Sequence, residues 1–291
     1  MSLSAERMAI ANRAIQQTFE QASIAWQVVP HWDTGDPGQV RVRNDVTFAI
    51  TEATTPLIPE SAEIPLGVEP LELKPLHISF QMTLAQTTAT TPDALLAGVL
   101  PRTVELAREF DKSVLTKLKG PAATARPGGN ASPWYPTLAT GTDGIGKILK
   151  ALINGRQLLE DSGYRAPSCL IASTAHFTDL HQVVGSRLAT GGLLVGGNVN
   201  SLHRATQLDG TVADGGAATA SLMLMLGRRQ QIAQGYACAA SPGEEPVDLA
   251  ISVPPSLEVI GENAAGAIEL AVRIRFATRV KDERGVVVFH T

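Results

Sequence analysis

The chain has 291 residues, with 24 Lys and Arg against 28 Asp and Glu, a formal net charge of −4, and 44% hydrophobic against 18% charged residues. No basic run is present, which argues against a dedicated nucleic-acid binder, because neutralising phosphates takes clustered Lys and Arg. The length suffices for one elaborate domain or two simple ones, and the apolar excess implies that some surface is hidden between subunits.

The N-terminal stretch MSLSAERMAIANRAIQQTFEQ carries Glu6 and Glu20 and no long apolar block. It is therefore expected to be neither a signal peptide nor a membrane span, which makes a cytoplasmic location the default. Met8, Ala11, Ile15, Phe19 and Ala22 recur at three- and four-residue steps and predict an amphipathic helix from Ala5 to Ala22. The turn cluster HWDTGDPG follows, then the alternating run QVRVRNDVTFAI, which predicts a half-buried strand. Residues 51–75 hold five prolines and a series of glutamates. Such a segment forms neither a helix nor a central strand, so an extended arm or hairpin is expected, stable only with a neighbour's support.

PLHISFQMTLAQ alternates cleanly through Leu76, Ile78, Phe80, Met82 and Leu84 and predicts a strand. Thr90-Thr91-Pro92-Asp93 then opens a helix predicted to run to Gly120, kinked at Pro101 and roughly 40 Å long at about 1.5 Å per residue. After a Gly/Ala/Pro-rich loop at 121–136, Ile145, Ile148, Leu149, Leu152, Ile153 and Leu159 predict a second helix ending at Gly163. PSCLIAS reads as a buried strand and TAHFTDLHQVV as a short helix capped by Thr174. Residues 185–216 are glycine-rich and predict an exposed loop region with little core. Strands are expected again at SLMLML, QQIAQGYACAA, VDLAISV, SLEVIG and GAIELAVRIRFATRV.

The chemical motifs are few. GTDGIGK, from Gly141 to Lys147, has the spacing of a phosphate-binding loop, but Ile148 stands where a magnesium-binding hydroxyl belongs and Pro133 and Pro136 break any preceding central strand. The alternative is that Thr142 or Asp143 caps a helix starting near Gly144. Cys169 and Cys238 lie in apolar surroundings that suit buried thiols, and no GxSxG elbow accompanies them. His31, His77, His176, His181, His203 and His290 include no i, i+4 pair of the zinc-enzyme kind, so no metal, cofactor or catalytic residue is assigned. Glu60, Glu63, Glu69 and Glu72 with Lys74 are read either as an inter-subunit ion-pair arm or as solvated charges.

The segment PLHISFQMTLAQTTATTPDALLAGVLPRTVELAREFDKSVL, with acidic residues at Glu109 and Asp111, resembles the strand-then-spine pattern of the encapsulins. These are shell proteins of the Hong Kong 97-type phage capsid superfamily. The tail ELAVRIRFATRVKDERGVVVF is similar to that family's closing strand. The tract at 190–216 and the SPGEEP loop match no family pattern.

The resemblance implies an α+β fold of the Hong Kong 97 type. Its parts would be an N-terminal helix and arm (1–37), an extended loop (38–75), a peripheral domain with the spine helix (76–165), an axial domain (166–255) and closing strands (256–291). It further implies a structural, non-enzymatic protomer that self-assembles into a closed icosahedral compartment. In encapsulins the N-terminal helix helps form a groove for a cargo-targeting peptide, which would fall near Ile15 and Phe19. Two other readings stay open: a tailed-phage or prophage major capsid protein enclosing DNA in a virion, and a nucleotide-binding enzyme using GTDGIGK.

Overall fold

A computed structural model of the chain describes residues 3–43, 70–89, 91–124, 144–164, 166–184, 187–210, 221–229, 245–263 and 266–290. Helix α1 (Ala5–Ala22) starts where Ser4 accepts from the Arg7 N–H, and its apolar stripe at four-residue steps, Ala11, Ile15 and Phe19, is fully buried. Ser23 breaks the helix and caps the short α2 (Ile24–Val28). Strand β1 (His31–Asp33) lies inside the expected turn cluster, and the turn proper follows it, with Gly35 at a positive φ of 78°. β2 (Arg41–Val42) pairs antiparallel with β3 (Leu71–Glu72), and β4 (Lys74–Thr83) continues as the predicted alternating strand. The remainder of the expected 40–50 strand and the arm from 44 to 69 lie outside the described residues.

A first sheet, ordered β1-β10-β11-β4, contains the two longest strands, β10 (Val247–Glu262) and β11 (Ala267–Val280). The expected strands VDLAISV and SLEVIG are one element. β10 passes through Pro254 and Pro255 because its register against β11 shifts there, which spares the ladder the missing N–H groups. Helix α3 (Leu84–Thr88), started by a Thr83–Gln86 capping box, leads to the spine helix α4 (Asp93–Thr124). Pro101 does not interrupt α4, and the helix passes Gly120. Ala97, whose carbonyl the proline leaves unbonded, is exposed together with Pro101, so water can take that carbonyl. Leu106, Phe110, Val114 and Leu115 bury the inner face of α4, with Phe110 5.2 Å from Phe19 and 4.5 Å from Phe276 between ring centroids.

A second sheet, ordered β12-β9-β5-β8, comprises β5 (Ala166–Ala172), β8 (Val199–Arg204), β9 (Leu222–Arg228) and β12 (Val286–His290). It shares a core with α5 (Gly144–Asp161), α6 (Thr174–Leu180) and α7 (Thr190–Gly196), centred on Leu152, Leu170, Met225 and Phe289. α5 ends as expected near Gly163, whose φ of 89° lets the chain turn back. Ser173, not Thr174, caps α6, while the Thr174 N–H and hydroxyl donate to Asp209. Residues 185–216 also differ from expectation. They contain α7 and β8, and Leu193, Ala205 and Leu208 are buried. Two glycines there serve close packing, since a Cβ at Gly196 would lie 2.5 Å from Leu149 Cδ1 and one at Gly197 3.2 Å from Leu152 Cβ, whereas one at Gly191 or Gly192 would meet nothing within 4 Å. A small hairpin, β6 (Val183–Val184) with β7 (Arg187–Leu188), projects beside α7. Among the described residues no helix is long and apolar enough to cross a membrane.

Candidate assembly site

The N-terminal segment is fastened to the body by polar contacts at each stage. Arg7 donates to the carbonyls of Thr87 and Ala89, at the end of α3. Asn12 Oδ1 accepts from Leu257 N at 2.8 Å, satisfying an amide just past the irregular stretch of β10. Asp111 reaches from the spine to the start of α2. It accepts from Ser23 Oγ at 2.6 Å, Ile24 N at 3.0 Å and Ala25 N at 2.9 Å. A carboxylate at a helix N-terminus suits both the free N–H groups and the helix dipole. Burial is the larger influence on its acidity, and the Asp111 carboxyl is pushed up to about 6 despite the three donors. At the other end of α2, Arg228 of β9 donates to the Val28 carbonyl. One short helix therefore joins α1, the spine and the second sheet.

A second fastening lies at the root of the arm. β2 and β3 leave the body side by side, their base filled by Val42, Leu73, Ala250 and Ala277 and flanked by Trp32 and Leu71. Beneath them Asp248, fully buried, receives Arg279 in a two-pronged contact at 2.6 Å and 2.6 Å and Lys281 Nζ at 3.0 Å. Arg279 also donates to the Arg43 carbonyl and lies 4.9 Å over the Trp32 ring. Burial lowers the Lys281 ammonium, against the pull of Asp248. All three charges are therefore paired where an unpaired one is costly. This network ties the end of β2, through the Arg43 carbonyl, to β10 and β11.

A depression of about 470 Å³ opens beside the root, between Glu72, Lys74 and Leu76 on one side and Glu109, Lys112 and Lys117 of the spine on the other. Burial and, less strongly, Lys74 lower the Lys117 ammonium, so the two lysines repel across this opening.

The profile of the phage capsid protein family matches residues 81–289, well over half of the chain. The chain belongs to the phage capsid protein family. Its fold is of the Hong Kong 97 type, as expected from the strand-then-spine resemblance. It is similar to the virus-like particle protein from Pyrococcus furiosus, at 13% identity over 98% of both chains with a TM-score of 0.62. It is also similar to a phage-related protein from Bordetella bronchiseptica RB50, at 9% identity over 96% of both chains and a TM-score of 0.61. The bacteriophage PhiM1 mature capsid protein matches at 13% identity over 92% of this chain and 86% of that one, with a TM-score of 0.53. No curated protein sequence matches the chain.

Within this capsid protein the residues singled out from sequence fall in distinct places. Ile15 and Phe19 are 0% exposed and pack in the core shared by α4 and the first sheet, so a cargo peptide would touch them only if α1 lifted from its spine. Glu72 and Lys74 are exposed at the arm root, while Glu60, Glu63 and Glu69 lie outside the described residues. Gly144 and Ile145, which a phosphate-binding loop would need in an arch, already belong to α5. Lys147 is exposed on the same first turn, and Gly141 to Asp143 lie outside the described residues. Cys169 is buried in β5, where burial pushes its thiol up, and Cys238 is outside the described residues.

Sequence reasoning missed Asp111 as the fastening of α2, and missed Asp248 with Arg279 altogether. A signal for the first was present. Asp111 sits on the apolar stripe of the spine between Ala107 and Val114, where a charge needs a buried partner.

Proposed function

We propose that this capsid-family protein is the repeating subunit of a closed icosahedral shell that holds protein cargo in the cytoplasm, as an encapsulin-like nanocompartment without catalytic activity. The observation that carries the reading is the arm root. A charged network and a small apolar cluster hold the two short antiparallel strands that flank the 44–69 segment, one ending next to Arg43 and the other starting after Pro70. A segment so anchored, and unable to form a core of its own, gains its partners from neighbouring copies. Many modest identical contacts then act together in a closed assembly.

On this reading residues 1–37, 38–75, 76–165, 166–255 and 256–291 serve as N-terminal helix, extended loop, peripheral domain, axial domain and closing strands. Glu60, Glu63, Glu69, Glu72 and Lys74 contribute inter-subunit ion pairs. Cargo peptides meet the N-terminal helix around Ile15 and Phe19, which requires that helix to shift outward. Negative-stain microscopy of the purified protein tests the shell: hollow particles of uniform diameter are expected, and a monodisperse monomer at high concentration removes the reading.

A second reading, a phage or prophage major capsid protein enclosing DNA, is favoured by the family to which the chain belongs. The contents of particles isolated from the native host separate the two. Nuclease-protected DNA supports the phage reading, and a co-purifying protein that carries a common terminal peptide supports the compartment.

A further inference from the structure

Among the described residues β4 has a strand neighbour on one side only, because the order β1-β10-β11-β4 leaves its other margin open along ten residues. Open margins invite pairing with another chain, and soluble proteins usually blunt them with charge, proline, a bulge or brevity. From Leu76 to Thr83, β4 uses none of these. The stretch LHISFQMT contains no Asp, Glu, Lys, Arg or Pro. Its register along β11 runs unshifted from Thr83↔Ala267 to Lys74↔Phe276. Leu76, Ile78 and Phe80 pack against the core yet stay only partly covered.

A groove of about 690 Å³ lies beside the second half of this margin, between Phe80 and Met82 and the α4 residues Ala94, Ala97, Gly98 and Pro101. Ala94, Ala97 and Gly98 are small, so the helix approaches the strand closely beneath the groove. At Gly98 an added Cβ would lie 3.1 Å from Met82 Sδ.

We propose that β4 pairs with β4 of a second copy, antiparallel about a two-fold axis at Ser79, so that one sheet runs through two subunits. The strand's own pattern identifies the occupant. About Ser79, Leu76 meets Met82, Ile78 meets Phe80, His77 meets Gln81, and Ser79 meets its counterpart. Apolar side chains face apolar ones on the helix side, polar face polar on the other, and no like charges are opposed from Leu76 to Met82. A two-fold contact uses the same patch on both partners, and so requires a strand that matches itself when reversed. An unrelated peptide would impose no such requirement.

This inference rests on the shell reading but is tested apart from it. Directly opposed Cα atoms in an antiparallel pair are about 4.5 or 5.5 Å apart, both within the span of a disulfide. Mild oxidation of assembled Ser79→Cys protein is therefore expected to convert most of it to a reducible dimer on a denaturing gel, with the unaltered protein remaining monomeric. Ser79→Lys, which opposes like charges at the axis, is expected to abolish particles with an unchanged far-UV circular dichroism spectrum. Particles of Ser79→Cys that give no dimer, or wild-type-like particles of Ser79→Lys, overturn the pairing and leave the shell standing. Dimers without particles support the pairing and remove the shell.

Discussion

The two four-stranded sheets among the described residues are closed by different means. Around the first sheet, polar side chains reach between elements far apart in sequence: Asn12 to Leu257, Asp111 to Ser23, Ile24 and Ala25, and Arg279 to Asp248 and Arg43. Around the second, glycines admit side chains at close range. Added Cβ atoms would lie 2.6 Å from Phe289 Cζ at Gly155, 2.9 Å from Tyr164 Cβ at Gly227 and 2.3 Å from Pro246 Cβ at Gly285. Hydrogen bonds between charged groups have direction, whereas close packing supplies density with little directional preference. The directional contacts occur at the arm root and along the N-terminal segment, where elements far apart in sequence must be held in one arrangement.

The largest effect is expected at the arm root. Arg279→Met leaves Asp248 buried with only Lys281 beside it, a loss of about 3–5 kcal/mol, and chemical denaturation together with loss of particles would register it. Asp111→Ala removes the acceptor for a hydroxyl and two amides, costing about 2–4 kcal/mol by the usual penalty for buried unsatisfied groups. Proteolysis should then begin at α1 before the second sheet is cut. Gly155→Ala strikes the other region, and forcing the Phe289 ring aside should cost about 1–3 kcal/mol. The folded fraction should still assemble, so a failure to assemble there would erase the distinction between the two regions.

A smaller effect is pH-dependent. Asp111 in the native protein holds its proton up to about pH 6, above the ordinary value of 3.8. Between those values the folded state binds more protons than the unfolded one, so this residue's contribution to stability grows as pH falls through 6 and levels off below about 4. Asp282 is shifted the opposite way, its carboxyl held below the ordinary value by hydrogen bonds from Arg284 and Tyr164 that outweigh its burial. The difference between wild type and Asp111→Asn, measured by urea midpoints from pH 4 to 7, should therefore carry the Asp111 slope alone. The smallest effect is expected for Lys147→Ala on the exposed first turn of α5, within about 0.5 kcal/mol and without change in assembly. A loss of nucleotide binding in that variant would instead revive the phosphate-loop reading.

Elements with a regular apolar period were legible in the sequence. α1, β4, the spine, α5 and β11 lie where alternation or a three-to-four-residue step placed them. The contacts that give the first layer its direction were not, because their partners are separated by 88 residues for Ser23 and Asp111 and by 31 for Asp248 and Arg279. Glycine misled in a physical way. At 185–216 it predicts loops, but Gly196 and Gly197 are small because Leu149 and Leu152 lie against them. A single sequence does not distinguish a glycine that frees the backbone from one that makes room.

The bond from Arg228 to the Val28 carbonyl closes across 200 residues. During synthesis α2 emerges long before this arginine, so its seat between the spine and the second sheet is completed only when most of the polypeptide has left the ribosome. A chain still being translated thus lacks this last anchor of its N-terminal segment until it is nearly finished.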